Sequence, residues 1–404
     1  MSRKTMKIQD IAAPSARSIA IGPFGSNLKA ELYTPSGVPV VRGQNIKASP
    51  YLDEEDLVFV SPETAEKLSS SMLNEGDLVF PHRGAIGRVG LVGKKRMLLS
   101  SSMMKLTVDP AKADPKYVLY YFRGPGEREL LMRASTVGTP GIGQPLTSLR
   151  GISIELPELE QQQAIAEVLG ALDDKIAANT KLAATFESLG TAKLQALGIN
   201  AEPEAGFVTL DTLFDFNPRR TPASDTVTLI DMQALPTSEP LVGTWSEGPK
   251  KGGTRFMNGD TLLARITPCL ENRKTGFVDF LDDGQVGIGS TEFIVMRSRE
   301  GLPLGLSYFV ATSSRFRDFA IQNMVGTSGR QRVAAADIAR FEFNPIESTD
   351  LVEFGSWADT NLRLLGSLRT ENKTLAATRD ALLPQLMSGK LRVKEAEALV
   401  SAAV

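Results

Sequence analysis

The sequence is short of the residues that most enzymes use for chemistry. Its 404 residues include one cysteine, Cys269, and one histidine, His82. A lone cysteine excludes an internal disulfide and fits a reducing cytoplasm. Zinc sites of four soft ligands within the chain are excluded too. A Ser-His-Asp or Cys-His nucleophile would have to use His82, alone or with Cys269. His82 lies in the turn-like Phe80-Pro81-His82-Arg83-Gly84 and reads as a loop histidine, while Cys269 reads as a small, partly buried apolar residue. No apolar run approaches the ~18 residues a membrane-spanning helix needs, and Met1 to Lys7 is basic without an apolar stretch behind it, so neither a membrane span nor a signal peptide is expected. An excess of one charge is also missing. With 45 Lys and Arg against 47 Asp and Glu the net charge is −2, which excludes a uniformly basic coat but not local basic faces.

Cofactor signatures fail on inspection. In Gly87 to Lys95 the first glycine of a GxxxxGK phosphate loop would fall on Arg88, and Lys95 stands where a Ser or Thr should hold magnesium. Gly138-Thr139-Pro140-Gly141-Ile142-Gly143 opens no helix, and Asn217-Pro218 and Asn344-Pro345 lack the Pro-aromatic continuation of amino-methyltransferases. No active site is expected within the chain. At 42% apolar and 23% charged, the composition is that of an ordinary globular protein, long enough for about two to three domains of ~150 residues.

What is present is helical periodicity. From Leu159 to about Leu197, apolar residues recur at 165, 169, 172, 176, 182, 186 and 189, with no interior proline. A helix of ~35 residues would be ~50 Å long, the length of a coiled-coil arm. Gly198 is its stop. A second such stretch runs from about Ser348 to Met387 and stops at Ser388-Gly389. Its opening Glu353-Phe354-Gly355-Ser356-Trp357 includes a glycine that costs up to ~1 kcal/mol of helix propensity relative to alanine. The two stretches are related: Asn179-Thr180-Lys181-Leu182-Ala183-Ala184-Thr185 matches Asn372-Lys373-Thr374-Leu375-Ala376-Ala377-Thr378 at five of seven positions, an offset of 193. The expected buried seam is Leu172, Ile176, Asn179, Leu182, Leu365, Leu368, Asn372 and Leu375. A buried seam asparagine costs stability but selects register.

The repeat extends beyond the helices. Gly76-Asp77 and Gly259-Asp260 each precede an apolar strand, at an offset of 183. Val137-Gly138-Thr139 matches Val325-Gly326-Thr327, and Ile154 to Pro157 matches Glu342 to Pro345, both at 188. Matches in one order indicate an internal duplication of about 190 residues. The parts between the helices are rich in glycine, proline and short strands, with shorter helical patterns at Pro115 to Phe122 and Pro303 to Phe319, which reads as mixed α/β with loop-rich sheets. The expected layout is a globule at 1–157, a long helix at 158–200, a second globule at 201–346, a second long helix at 347–391 and a tail at 392–404.

Two related globules on a helical spacer suit a reader of two different targets at a fixed separation, and duplex DNA offers equivalent groove faces every ~34 Å. Between Leu78 and Val108 there are six basic residues and no acidic one; Lys250 to Lys274 carries six basic against two acidic. Lys29, Arg83, Lys94, Lys95, Arg96, Lys250, Lys251, Arg265, Arg273 and Lys274 are candidates to meet phosphates. Candidate base-edge readers in the first copy are Ser26, Asn27, Arg42, Gln44, Asn45, Ser101 and Gln144. In the second they are Arg219, Arg220, Asn272, Thr327, Ser328, Arg330 and Gln331. The alternative is a coiled-coil interaction scaffold without sequence-specific DNA binding.

Pro157-Glu158-Leu159-Glu160-Gln161-Gln162-Gln163-Ala164-Ile165, with Leu172-Asp173-Asp174-Lys175-Ile176 and Asn179, resembles the central conserved region of type I restriction–modification specificity (S) subunits. Glu371 to Leu375 and Arg379 to Leu391 resemble that family's C-terminal region, and Gly25 to Lys29 and Arg42 to Ile46 the opening of its first recognition domain. The resemblance covers essentially the whole chain, although the second long helix lacks the Glu-Gln-Gln start. It implies an α/β (α+β) fold: two target recognition domains separated by two long antiparallel helices forming a coiled coil, related by an internal pseudo-twofold repeat. Each domain would read one half of a bipartite, asymmetric site in double-stranded DNA. Two modification (methyltransferase) subunits would dock on the helices, and restriction (motor/nuclease) subunits would join. S-adenosylmethionine, ATP and magnesium would belong to those partners, leaving none in this chain.

Overall fold

In the computed structural model the periodic stretches form two long helices, Leu159–Ala196 and Ser348–Ser388. The structure describes residues 3–47, 49–135, 138–327 and 329–403, without the side chains of Ser26, Ala402 and Ala403. Val137 and Ser328, singled out above, lie outside the described residues. Gly198 and Gly389 follow the helix ends at φ +82° and +71°, where a side chain would be strained. The second helix runs unbroken through Gly355, because the glycine lets Pro303 approach: a Cβ there would lie 2.8 Å from the Pro303 Cβ. Close packing outweighs the propensity cost. Pro303 to Phe319 differs from its sequence pattern, forming two helices, Leu306–Thr312 and Ser314–Gln322, broken where Ser313 turns extended. Val393–Ala403, expected only as a tail, is helical.

Each long helix contributes one part to each of two units, Met1–Ala177 with Asn372–Val404, and Ala178–Glu371. In the first unit Ile165, Leu169 and Leu172 share a core with Leu375, Leu382 and Leu386 and with Tyr117 and Phe122. In the second, Asn179 donates to Glu371 at 2.8 Å, and Phe186 packs on Trp357 with centroids 4.9 Å apart. The partner number falls as the first helix advances, so the helices of this unit run antiparallel. Of the expected seam, Leu172, Asn179, Leu365 and Leu375 are buried, and Ile176, Leu368 and Asn372 are half-buried. Leu182 is a correction, being 46% exposed. Steps of seven, four and four put 179, 186, 190 and 194 on the buried stripe, and at 100° per residue Leu182 falls roughly 80° off its centre.

The first unit has strands β1 (Ile19–Ile21), β2 (Val38–Val41), β3 (Leu78–Pro81), β4 (Met97–Leu99) and β5 (Met103–Leu106). One sheet runs β1-β5-β3 and on to Gly90–Leu91; the other pairs β2 with β4 in parallel, flanked by antiparallel Val58–Val60 and Met72–Leu73. The second unit repeats this plan with β6 (Phe214–Phe216), β7 (Thr226–Ile230), β8 (Thr261–Ala264), β9 (Gly287–Gly289) and β10 (Phe293–Ser298). Its sheets run β6-β10-β8 and on to Thr275–Phe277, and Ser246–Pro249, β7, β9, Thr254–Phe256, with β7 and β9 again parallel.

Individual hydrogen bonds repeat as well. Gly76 N donates to Val92 O at 3.0 Å and Val92 N to Asp77 O at 2.9 Å; Gly259 and Val278, and Val278 and Asp260, do the same at 2.8 and 2.9 Å. The duplication read from four short matches is thus a repeat of topology and of backbone pairing.

Gly190 tests the packing of the second unit. A Cβ there would overlap the Phe309 ring. Propensity alone favours Gly190→Ala by ~1 kcal/mol, whereas overpacking costs about 1–3 kcal/mol. We expect Gly190→Ala to lower the denaturation midpoint, and an unchanged or raised midpoint would show that the ring yields freely.

Candidate nucleic-acid interface

Antiparallel pairing of β5 with β1 and β3 puts the loops after β1 and β3 beside the start of β5. Gly22 N donates to Met103 O at 2.9 Å, and His82 N to Ser102 O at 3.0 Å. Parallel pairing of β2 with β4 brings the loop after β2 to the same place, with Ser100 N donating to Val41 O at 3.1 Å. A hairpin joins through Gly84 N to Pro140 O, 2.9 Å, and Ile142 N to His82 O, 3.0 Å. Loops 22–28, 42–46, 82–88, 100–102 and 138–144 therefore meet at one end of the sheets. Of the nominated residues, Asn27, Lys29, Arg42, Gln44, Arg83, Ser101 and Gln144 lie on these loops or next to them.

The second unit builds the same end. Arg265 N donates to Glu292 O, Thr267 N to Gln331 O and Val333 N to Arg265 O, each at 3.0 Å, matching in turn the bonds of His82, Gly84 and Ile142. Asn217 N donates to Val295 O at 2.8 Å, so Arg219 and Arg220 follow at this end. Arg219, Asn272, Arg273, Thr327 and Arg330 are exposed, and Gln331 is half-buried. Arg219 and Arg220 line an open concavity of about 420 Å³ with Asn217, Gly253, Thr254 and Arg255. Arg255 belongs to the basic stretch Lys250 to Lys274 but is not among the base-edge readers expected from sequence. Nor is Arg332, whose place in the register is that of Gly141 in the first unit; only the alignment of the two copies' strands would have found it.

Several nominated side chains turn out to be structural. Asn45 is fully buried: its Oδ1 accepts from Arg42 N at 2.9 Å and its Nδ2 donates to Asp53 O at 3.2 Å. Arg220 is held against the buried Asp260. Lys105, counted in the basic run, is 6% exposed and pairs with Asp77 at 3.2 Å. Lys274 Nζ donates to Met232 O at 2.6 Å. Arg42 donates to Asp56 O at 3.0 Å. Lys250 pairs with Asp225 at 3.3 Å, and Lys251 lines a separate hollow with Asp231, Thr244 and Trp245. Buried polar groups need partners, and composition does not reveal which side chains serve as those partners.

The basic run is also split in space. Lys94, Lys95 and Arg96 precede β4, at its opposite end from Ser101, beside the Gly76 turn where β3 begins. They are exposed, and Lys95 pairs with Glu54 at 3.3 Å. His82 is half-buried, with Nε2 3.1 Å from Ser101 O; burial pulls its pKa down, so it is neutral near pH 7. Cys269 is half-buried against a small core. Among the described residues no His, Cys, Asp and Glu cluster has the makings of a metal site, and no helix is long and apolar enough to cross a membrane.

Glu292 is the polar centre of the second unit's end. Arg332 reaches it through Nε and Nη2 at 2.8–3.0 Å, and Arg265 through Nε at 3.3 Å. The Arg332 hydrogen bonds, with help from Arg265, hold the carboxyl below the ordinary glutamate range. A carboxyl lowered on folding stabilises above its unfolded pKa and loses that contribution only as pH falls through its folded value. We expect the amides of Val325, Arg330 and Arg332 to stay protected on acidification through the ordinary glutamate range and to open below it. With Glu292→Gln the acid step should vanish, and exchange at pH 7 should rise about tenfold. Unchanged exchange in the variant would remove Glu292 as the clasp.

Residues 24–188, which take in the sheets of the first unit and most of the first long helix, match the family described as Type I restriction modification DNA specificity domain. The chain is 31% identical over 156 residues to the type I restriction enzyme EcoAI specificity subunit of Escherichia coli, covering 36% of this chain and 26% of that protein. It is 30% identical over 164 residues to a putative type I restriction enzyme MjaX specificity subunit of Methanocaldococcus jannaschii, covering 39% and 37%. The aligned segments thus span well under half of these relatives. The fold is similar to the crystal structure of a type I restriction–modification S subunit from M. genitalium, with TM-score 0.60 at 13% identity over 96% of both chains. Residues 24–188 thus match the type I restriction modification DNA specificity domain, and the chain has a fold similar to that of a solved S subunit.

Proposed function

We propose that this chain is the DNA-specificity subunit of a type I restriction–modification complex, its units reading the two halves of a bipartite, asymmetric duplex site. The observation that carries this reading is the matched pair of sheet ends: one topology, built twice, gathers loops at the same end with different exposed side chains. Equivalent backbones with different side chains suit two unlike half-sequences, with Lys and Arg on phosphates and Arg, Asn, Gln, Ser and Thr on base edges. Arg83, Gln144, Asn27 and Gln44 are the proposed readers of the first unit; Arg219, Arg330, Gln331 and Thr327, with Arg255, are those of the second. A scaffold without readout gives no reason for such divergence on matching loops.

In this reading the chain is not an enzyme. Methyl transfer from S-adenosylmethionine belongs to two modification subunits docked on the long helices. ATP- and magnesium-dependent motor and nuclease work belongs to restriction subunits, in the cytoplasm.

Two experiments test the proposal. The chain, assembled with its methyltransferase partner, should enrich a split motif from random duplexes, and enrichment of none would overturn it. Replacing residues 1–157 with those of a relative should change one half of the motif and leave the other, whereas a change in both halves would overturn the modular reading. Within the first unit we expect Arg83→Ala with Gln144→Ala to relax one half of the motif at a cost of about tenfold or more in affinity. Lys94→Glu/Lys95→Glu/Arg96→Glu, at the other end of the sheet, should leave sequence preference unchanged. Measured motif logos for both variants decide it.

A further inference from the structure

Among the described residues the three most exposed large apolar side chains are Phe24 (80%), Val325 (70%) and Met132 (65%). Single exposed apolar residues are ordinary, but these are not scattered. Phe24 lies on the loop after β1 and Val325 on the hairpin that pairs with Ile266 through Arg332, both at the candidate reading ends. Met132 stands at the foot of the 134–142 hairpin.

Phe24 is held out in water by an anchored loop. Gly22 N donates to Met103 O at 2.9 Å, and the glycine sits so close to the Ser100 carbonyl that no Cβ would fit. Pro23 follows. Phe24 O accepts from Asn27 N at 2.8 Å across the short turn Gly25–Asn27, and Leu28, 6% exposed, fixes the far side in the core. Gly25 has no neighbour that a Cβ would meet, so the space around the tip is open. A ring carried on a braced loop has little backbone entropy left to lose on binding. The corresponding segment of the second unit, Asn217 to Thr221, carries Arg219 and Arg220 and no aromatic residue.

We propose that Phe24 is a wedge: its ring leaves water by inserting between two stacked base pairs in the half-site read by the first unit. That half-site is then chosen partly by how easily one base step opens. The inference rests on the DNA-reading function above and adds to it a residue that senses deformability, not base edges. Unstacking one step and burying one phenyl ring are of similar size and opposite sign. The balance therefore turns on the step, and pyrimidine–purine steps open most readily.

The test uses the complete complex with its methyltransferase subunits on the enriched duplex. 2-Aminopurine is scanned through the half-site assigned to residues 1–157. With the wild type, fluorescence should rise several-fold at one step and stay quenched elsewhere. Phe24→Ala should abolish the rise and weaken binding about tenfold, and Phe24→Leu, a smaller wedge, should retain part of both. Replacing the opened step with a stiff one should weaken the wild type about tenfold and Phe24→Ala hardly at all. Position 24 is outside the core, so the variants test contact, not folding. Quenched probes throughout, with wild-type binding to its split motif intact, would overturn the wedge and leave DNA reading standing. A loss of affinity in Phe24→Ala without any change in fluorescence or step preference would also overturn it, pointing to surface packing. Absence of sequence-specific binding by the wild type would overturn the DNA reading and the wedge with it.

Discussion

A carboxylate with no exposure to water organises the sheets of each unit. Asp77 and Asp260 follow a glycine at φ +84° and +85°, and each accepts from the backbone N–H three residues earlier, at 3.0 Å from Asn74 and 2.8 Å from Met257. Such a charge is tolerable only when paired, since removing its partner costs about 3–5 kcal/mol. The partners come from neighbouring elements. Lys105 and Thr107 close on Asp77; Arg297, at 2.8 Å, and Arg220 close on Asp260. By strand register Thr107 and Arg297 occupy the same place. The anchor survived the duplication while its counter-charges changed. It fixes the start of β3 and of β8, and the loops at their far ends inherit that alignment.

A second carboxylate ties the sheets of each unit to that unit's part of the helices. In the first unit it comes from the helix: Asp173 accepts from Tyr120 Oη at 2.7 Å and from Arg379 at 2.6 Å. Burial and the nearby Asp173 charge both push the Tyr120 pKa far up, so the phenol stays a donor. The position matching Asp173 by the offset of 193 is Gly366, where a Cβ would lie 2.6 Å from Asp279 Oδ2. There the domain supplies the carboxylate, and Arg369 binds both of its oxygens at 2.9 and 3.0 Å. One ionic junction is thus built from opposite sides in the two copies. In both, one guanidinium nitrogen, Nη1 of Arg379 or Nη2 of Arg369, donates to a carboxylate largely removed from water.

Legibility in the sequence followed the range of the forces involved. The long helices were plain, because 3.6-residue periodicity and glycine stops act within a few residues; their observed ends fall within about one residue of the periodic stretches and three to four residues short of the expected helical segments ending at 200 and 391. The duplication was legible for the same reason, through the Gly-Asp turn and the asparagine-bearing helix segment. The seam was less so. Leu182 fits the spacing and is exposed, because which stripe is covered depends on the partner at that level, here Phe186 against Trp357 and Phe309. Among site residues, charge and residue type did not separate Asn45, Lys105 and Arg220, spent on the fold, from Arg83 and Arg219, which face water.

The sequence by itself determined the helices, the repeated plan, the absence of soft-ligand metal sites and the family resemblance, since each is written in composition or local spacing. Only the tertiary structure decided which loops meet. Residues 22–28, 42–46, 82–88, 100–102 and 138–144 are far apart along the chain and are joined by strand pairing. It also decided that Lys94 to Arg96 stand at the other end of the sheet, that Arg332 and Glu292 clasp one another, and that Phe24 faces solvent. Pairing and burial are set by contacts between distant segments, and no short stretch of chain carries that information.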